Sequence, residues 1–388
     1  MDYSKILSKK VQEIQPSGIR KFFDIAAEMK DIVSLTVGEP DFVTPRHIRE
    51  VAIKSLEEGE THYTSNTGMT VLRKEISSYL DRRFSTKYDP LSEIIVTVGG
   101  SEAIDITIRS IVDPGDEVIV VLPAFVCYTP LVSMAGGIPV PIHTEEKDKF
   151  KLTPEALKAA ITPKTKMLIM SYPSNPTGAI MTREDLEPIA EILRGTDIVV
   201  LSDEVYAELT YGRDHCSVAS LPGMHERTIL VSGFSKAFAM TGWRMGYAAA
   251  PEPLAQQILK LHQYAVMCAP TTSQFAAIEA LKNGDDDIMK MTGEYNYRRR
   301  FLVNGLRKIG IPCFEPEGAF YVFPNIGVFG MSSDEFCERL LYEARVAIVP
   351  GTAFGECGEG FARISYAYSL KHIAEALERI GNFVNTLK

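Results

Sequence analysis

Long apolar runs are missing from this sequence. The longest, near Val118–Val126, is broken by Pro123, far short of the ~20 residues that a membrane-spanning helix needs. A surplus of positive charge is missing too: 41 Lys and Arg face 50 Asp and Glu, a net charge of −9. Nucleic-acid backbones and anionic membranes are met by basic surfaces, so neither is an expected partner. The consecutive arginines Arg298 to Arg300 are too short a run to change that and read as a solvated helix face. The cysteines Cys127, Cys216, Cys268, Cys313, Cys337 and Cys357 form no CxxC pair, and the histidines show no HExxH spacing. Neither a metal site nor a disulfide framework is therefore expected. The first residues, Met1 to Gln15, lack the apolar stretch of a secretion signal and read as an amphipathic helix, which gives a cytoplasmic expectation. No repeat, low-complexity tract or Gly/Ser linker is visible.

What is present is the balance of a globular chain: 388 residues, 45% hydrophobic and 23% charged, enough for two domains that each bury a core. From about residue 90 to 250, short β-branched runs alternate with amphipathic stretches. The expected strands are Ile94–Val98, Glu117–Leu122, Met167–Ser171, Ile198–Leu201, Thr228–Val231 and Tyr247–Ala250. Between them lie the expected helices Glu102–Val112, Pro154–Ile161 and Arg183–Arg194, the last two with Thr153 and Thr182 as N-caps. Such βα units imply a mostly parallel sheet flanked by helices.

The last hundred residues change rhythm: a helix over Met289–Ile309, short strands near Ala319–Phe323, Val346–Val349 and Phe361–Ser365, and a final amphipathic helix from Leu370. The whole reads as an α/β protein. Residues 46–285 form a large domain on the parallel sheet, and residues 1–45 with 286–388 form a smaller α+β domain from both chain ends. A long helix near 255–300 is expected to bridge them.

Ligands bind at the carboxyl ends of parallel strands, and almost every expected strand here ends in a polar signal. Gly99-Gly100-Ser101-Glu102 leads into a helix, as an anion cup would, though a Gly-Gly turn also serves plain packing. Phe125 can stack on a planar ring or sit in the core. The loop Tyr172-Pro173-Ser174-Asn175-Pro176 presents one amide, and Asp203 leaves a buried strand and needs a cationic partner. Lys236, among small and apolar residues, is the place for an amine nucleophile. Arg244, in the loop Thr241-Gly242-Trp243-Arg244, suits a phosphate. An anion cup, an aromatic plate, an amide, a carboxylate, a lysine and an arginine together fit pyridoxal phosphate.

The segments Ser171–Gly178, Ser202–Tyr206, Ser232–Lys236 and Thr241–Tyr247 resemble, in order and spacing, the motifs of the class I/II aminotransferases of fold type I. The resemblance implies that Lys236 bonds the cofactor covalently and that Asp203 partners its ring nitrogen. Asn175 and Tyr206 would hydrogen-bond its 3-oxygen, and Phe125 would stack on its ring. Gly100, Ser101 and Glu102 hold the phosphate-cup positions, with Ser235 and Arg244 nearby. Gly233 and Ser235 depart from a serine-rich variant seen in some relatives, leaving the phosphate-binding hydroxyl unassigned. Tyr63 resembles the tyrosine that reaches the neighbouring subunit's phosphate, which implies a homodimer with shared sites. Arg363 resembles the residue that grips the substrate α-carboxylate, and Gly38 one that lines the substrate side.

The implied reaction is ping-pong transamination, in which Lys236 moves a proton at the substrate α-carbon and Asp203 keeps the ring protonated. Ser101 stands where some acid-specific relatives carry lysine, while Phe125, Ile19 and Tyr264 are apolar candidates for the side-chain pocket. The expected donor is therefore an aromatic amino acid and the acceptor a 2-oxo acid such as 2-oxoglutarate. Aspartate, alanine or broad specificity are the alternatives, along with a carbon–sulfur lyase of the same fold. A non-catalytic regulator would need a partner-binding module for which the chain has no spare segment.

Overall fold

Buried β-branched runs pair into strands wherever helices can cover both of their faces, and that rule builds the centre of this molecule. The structure, a computed structural model, describes residues 1–16, 18, 29 and 31–387. Strand β1 (Val33–Ser34) precedes β2 (Ile94–Thr97), β3 (Glu117–Leu122), β4 (Ile138–His143) and β5 (Thr165–Ser171). Next come β6 (Val199–Asp203), β7 (Thr228–Gly233) and β8 (Gly246–Ala249), then the short β9 (Tyr321–Val322), β10 (Val346–Ala347), β11 (Val349–Pro350) and β12 (Ala362–Ser365).

Strands β2 to β8 form a seven-stranded sheet in the order β2-β8-β7-β6-β5-β3-β4. From β7 across to β4 every pair is parallel, whereas β8 runs antiparallel to both its neighbours. Alternate residues face opposite layers. Val118 and Val120 pack with Ile104 and Ile108 of the helix Gly100–Ile111, while Ile119 and Leu168 pack with Leu186 and Ile189 of the helix Arg183–Arg194. Thr182 and Thr153 cap their helices as expected, Thr182 in a reciprocal box with Asp185.

Strand β4 carries Pro139 and Pro141, which hide it from a pattern search. The amides of Ile138 and Thr144 donate towards β3, so the alternate positions 139 and 141 turn their missing N–H groups to the open edge. Proline is tolerated there.

A second layer joins the two ends of the chain. β1 pairs in parallel with β10, and β11, β12 and β9 form an antiparallel trio. The helices Asp285–Lys308, Ser333–Ala344 and Leu370–Thr386 pack around them through Leu302, Leu340 and Ile380.

Three expectations need correction. The bridging helix is three helices, Glu252–Ala265, Thr271–Asn283 and Asp285–Lys308. Pro270 cannot continue the first of them, and Gly284 separates the other two. The arginine run is not a solvated face: Arg298 and Arg299 are buried and only Arg300 is exposed. Helical spacing puts Arg298 on the same inward stripe as Tyr295 and Leu302, and its charge is met by Asp41 at 2.7 Å and Glu294 at 3.0 Å. Arg299 reaches Glu315 at 3.1 Å and the carbonyl of Pro316. The first fifteen residues form only a turn at Tyr3–Lys5 and the helix Lys9–Glu13, which bury no residue. Five residues are too few to sustain an amphipathic face. Among the described residues no helix is long and apolar enough to cross a membrane.

Candidate active site

The loops at the carboxyl ends of β2, β3, β5, β6 and β7 converge on one cleft of about 280 Å³. Because β8 runs the other way, Arg244, which precedes it, arrives at the same rim. The cleft is lined by Gly38, Gly100, Ser101, Phe125, Asn175, Asp203, Tyr206, Ser235, Lys236, Arg244 and Arg363, and sequence reasoning singled out every one of these. A larger hollow of about 650 Å³ lies elsewhere, beside the helix Asp285–Lys308. Its arginines are already engaged, Arg83 with Glu208, Arg82 with Asp285 and Arg213 with Glu317, so size does not mark the site.

At the cleft floor the Lys236 ammonium donates to the carbonyl of Gly38 at 2.5 Å. Burial pulls its pKa down to about 8; Glu39 opposes the shift, and Arg363 and Arg244 reinforce it. Asp203 accepts from the Tyr128 hydroxyl at 2.7 Å and from the Val205 amide at 3.1 Å. Burial nevertheless pushes its carboxyl above the ordinary value. This carboxylate has no cation within bonding distance among the described residues, and a protonated ring nitrogen would supply one.

Arg363, buried, donates to Asn175 Oδ1 at 2.9 Å and to the Thr36 carbonyl at 2.6 Å, and lies 4.5 Å over the Tyr321 ring. Its Nε has no partner among the described residues, so the fork keeps a donor in reserve. The hydroxyls of Tyr206 and Tyr321 are 2.7 Å apart. A Cβ at Gly38 would run into the Tyr321 hydroxyl, so that position has no room for a side chain.

At the opposite end, Gly99 turns the chain with φ +78° and provides no capping side chain. The amides of Gly100, Ser101 and Glu102 meet no acceptor among the described residues. Arg244 packs its guanidinium against Gly99. Free first-turn amides beside a guanidinium are an anion site.

Two expected residues stand apart. Glu102 does not line the cleft: its carboxylate turns away, to the Val98 amide and to His262. Tyr63, 81% exposed, borders a separate surface hollow with His62 and Val98. Of the apolar candidates for the side-chain pocket, Phe125 is in place and Tyr264 is not, being 93% exposed. Ile19 lies outside the described residues.

Sequence reasoning missed Ile104, Tyr128, Val205 and Tyr321, which also line the cleft. Ile104 follows Ser101 by three residues on one helix, a spacing that would have placed it on the cleft side. Tyr321 comes from the second layer and carries no local signal.

A phosphate, a planar ring with a basic nitrogen and an aldehyde match this arrangement: free amides beside Arg244, an Asp203 carboxylate with no cation bound among the described residues, and the Lys236 amine, all in one cleft. The residues present thus fit pyridoxal phosphate. The comparisons agree. The family model for aminotransferase class I and II matches residues 30–380. The chain is 55% identical to YugH of Bacillus subtilis (strain 168), a protein named provisionally as an aminotransferase, over 98% of both chains. It is 45% identical to an aspartate aminotransferase of Pyrococcus abyssi, over 98% of this chain and 99% of that one. A solved aromatic aminotransferase of Pyrococcus horikoshii superposes with a TM-score of 0.90 at 43% identity, covering 95% of this chain and 99% of that one. Matched along nearly its whole length, the chain belongs to the class I and II aminotransferases, enzymes that work with pyridoxal phosphate.

Proposed function

We propose that this aminotransferase takes its amino group from an aromatic amino acid and passes it to a 2-oxo acid such as 2-oxoglutarate, in ping-pong order. The observation that carries the donor is the cleft wall. Besides Lys236 and Arg363 its lining includes Ile104, Phe125, Tyr128, Val205 and Tyr321. Beyond Lys236, Arg244 and Arg363 the described lining holds no cation to receive a second carboxylate. A planar apolar side chain gains from such a wall, and an acidic one meets little to replace its water. The named relatives include both an aspartate and an aromatic enzyme, so the wall weighs more than the names.

When bound, pyridoxal phosphate supplies an electron-withdrawing ring that stabilises negative charge at the substrate α-carbon. Lys236 would hold the cofactor's aldehyde and would serve as the base that takes and returns the substrate α-proton. A lowered pKa gives that amine a far larger neutral share near neutral pH than a surface lysine has. Asp203 keeps the ring nitrogen protonated, with Tyr128 fixing its carboxylate. Asn175, Tyr206 and Phe125 would hold the ring. The amides of Gly100 and Ser101, with Ser235 and Arg244, hold the phosphate. Arg363 binds the α-carboxylate through the fork that Asn175 and Thr36 already orient, and Gly38 leaves room for substrate. The reading includes a cytoplasmic homodimer in which Tyr63 reaches the partner's phosphate. The exposure of Tyr63 leaves its side chain free for that contact.

Half-reaction spectroscopy across a panel of amino acids tests the donor. Phenylalanine or tyrosine converting the bound cofactor faster than aspartate or alanine supports the proposal, and the reverse ranking rejects it. Continued release of a 2-oxo acid over many turnovers with no amino acceptor present points instead to a lyase. Asp203→Ala is expected to retain cofactor and lose most turnover.

A further inference from the structure

We infer that Glu102 and His262 are a positioning pair: without touching the cofactor, they hold the anion cup in the shape that binds its phosphate. The inference rests on the functional reading above and concerns two side chains that point away from the cleft.

Glu102 is the third residue of the helix Gly100–Ile111. A carboxylate there usually complements the positive helix end or reaches the cap residue. Here the cap is Gly99, which has no side chain to offer the first amides. Glu102 instead reaches back past it: one oxygen accepts from the Val98 amide, and the other lies 2.7 Å from His262 Nδ1. One side chain thereby ties the end of β2 to the first helical turn and closes the Val98–Glu102 loop from behind. The amides of Gly100 and Ser101 stay open towards the cleft.

His262 makes the tie rigid. It belongs to the helix Glu252–Ala265 and is 0% exposed; among the described residues its ring bonds Glu102 alone, through Nδ1, and its buried Nε2 has no partner. An aliphatic residue would occupy that space with no orphan nitrogen, so the imidazole contributes through Nδ1, by donating to Glu102. The contact also settles where the Glu102 charge sits. A carboxylate free to swing round the first turn would meet the incoming phosphate with like charge. Held by His262 and the Val98 amide, it stays behind the cup. The helix Glu252–Ala265 follows β8, and Arg244 precedes β8. The pair therefore couples the two flanks of the cup, free amides on one side and guanidinium on the other.

The test compares two ligands on the whole apo-chain, pyridoxal phosphate and phosphate-free pyridoxal, by equilibrium dissociation constants. Both use Lys236 and Asp203; only one uses the cup. Glu102→Ala and His262→Phe are each expected to weaken pyridoxal phosphate about tenfold or more, as loss of an orienting hydrogen bond does. Pyridoxal should change less than about twofold, since its binding bypasses the cup. The double variant should lose no more than the worse single one, because the two residues act as a unit. His262→Gln, which keeps a donor, should recover part of the loss. If His262→Phe does not fold, Glu102→Gln and His262→Gln decide on the same affinity ratio. Equal losses for both ligands, or an unchanged preference for the phosphate-bearing one, overturn the inference and leave the functional reading standing. A parent chain that binds neither ligand overturns both.

Discussion

Lys236 is a cation placed where cations are costly, and its chemistry follows from that. With a pKa of about 8 against an ordinary 10.5, the amine becomes neutral at a pH where surface lysines remain charged. An amine-selective reagent should label Lys236 in the free chain at a rate that rises to a plateau above about pH 8. Surface lysines should keep accelerating toward 10.5; if Lys236 follows them, burial does not govern it. Linkage gives a companion effect. Between those two values the unfolded chain binds the proton that the native chain has released, so native stability rises with pH across the window. Lys236→Met should flatten that rise in denaturant melts.

Arg363 makes the complementary argument. Its planar fork is oriented by Asn175 and Thr36 and backed by the Tyr321 ring. Lysine keeps the charge but neither the fork nor the stacking. Arg363→Lys should lower kcat/KM by about a hundredfold, roughly 3 kcal/mol, mainly through KM. At this scale most of the cleft was legible, because Asn175, Asp203, Lys236 and Arg244 are tied to strand ends by short loops. The direction of the Glu102 side chain was not, since it depends on His262, which is 160 residues away in sequence.

Among the elements, the contact between β2 and β8 is the tightest constraint near the cup. A Cβ at Gly246 would lie 2.5 Å from the Gly99 carbonyl carbon and 2.6 Å from the Gly100 nitrogen. Gly246→Ala should therefore push the loop off its strand and weaken pyridoxal phosphate by about tenfold or more, measured by equilibrium binding. Thr182→Ala is the contrast. It removes one half of a capping box on a helix remote from the cleft, costing about 1 kcal/mol. The melting temperature should fall by about 2–4 °C with the half-reaction rates unchanged. Elements buried on both faces, such as β3 and β5, were readable from their apolar runs alone. β4 was not, because Pro139 and Pro141 look like loop residues until an open edge excuses them. The break at Pro270 between two helical patterns went unread because periodicity continues across it.

The whole molecule brings residues from both chain ends, Gly38 and Arg363, over a sheet built from the middle. No local pattern announces that meeting; the pairing of β1 with β10 creates it. If the working unit is a dimer with Tyr63 lent across the interface, two defective chains can repair one another. Lys236→Ala and Tyr63→Ala homodimers should both be impaired, and unfolding and refolding them together should return activity, since each hybrid carries one intact site. Activity no greater than the sum of the separate preparations would remove Tyr63 from the partner's site.

The reversed direction of β8 brings Arg244 to the same rim as the loops that follow the parallel strands, which leaves the far rim of the sheet outside the cleft lining. Gly195 sits there, exposed, between the helix Arg183–Arg194 and β6, with open space where a Cβ would be. A fluorescent tag or a surface anchor grafted beside it would let the enzyme be tracked or immobilised with its mouth facing outward.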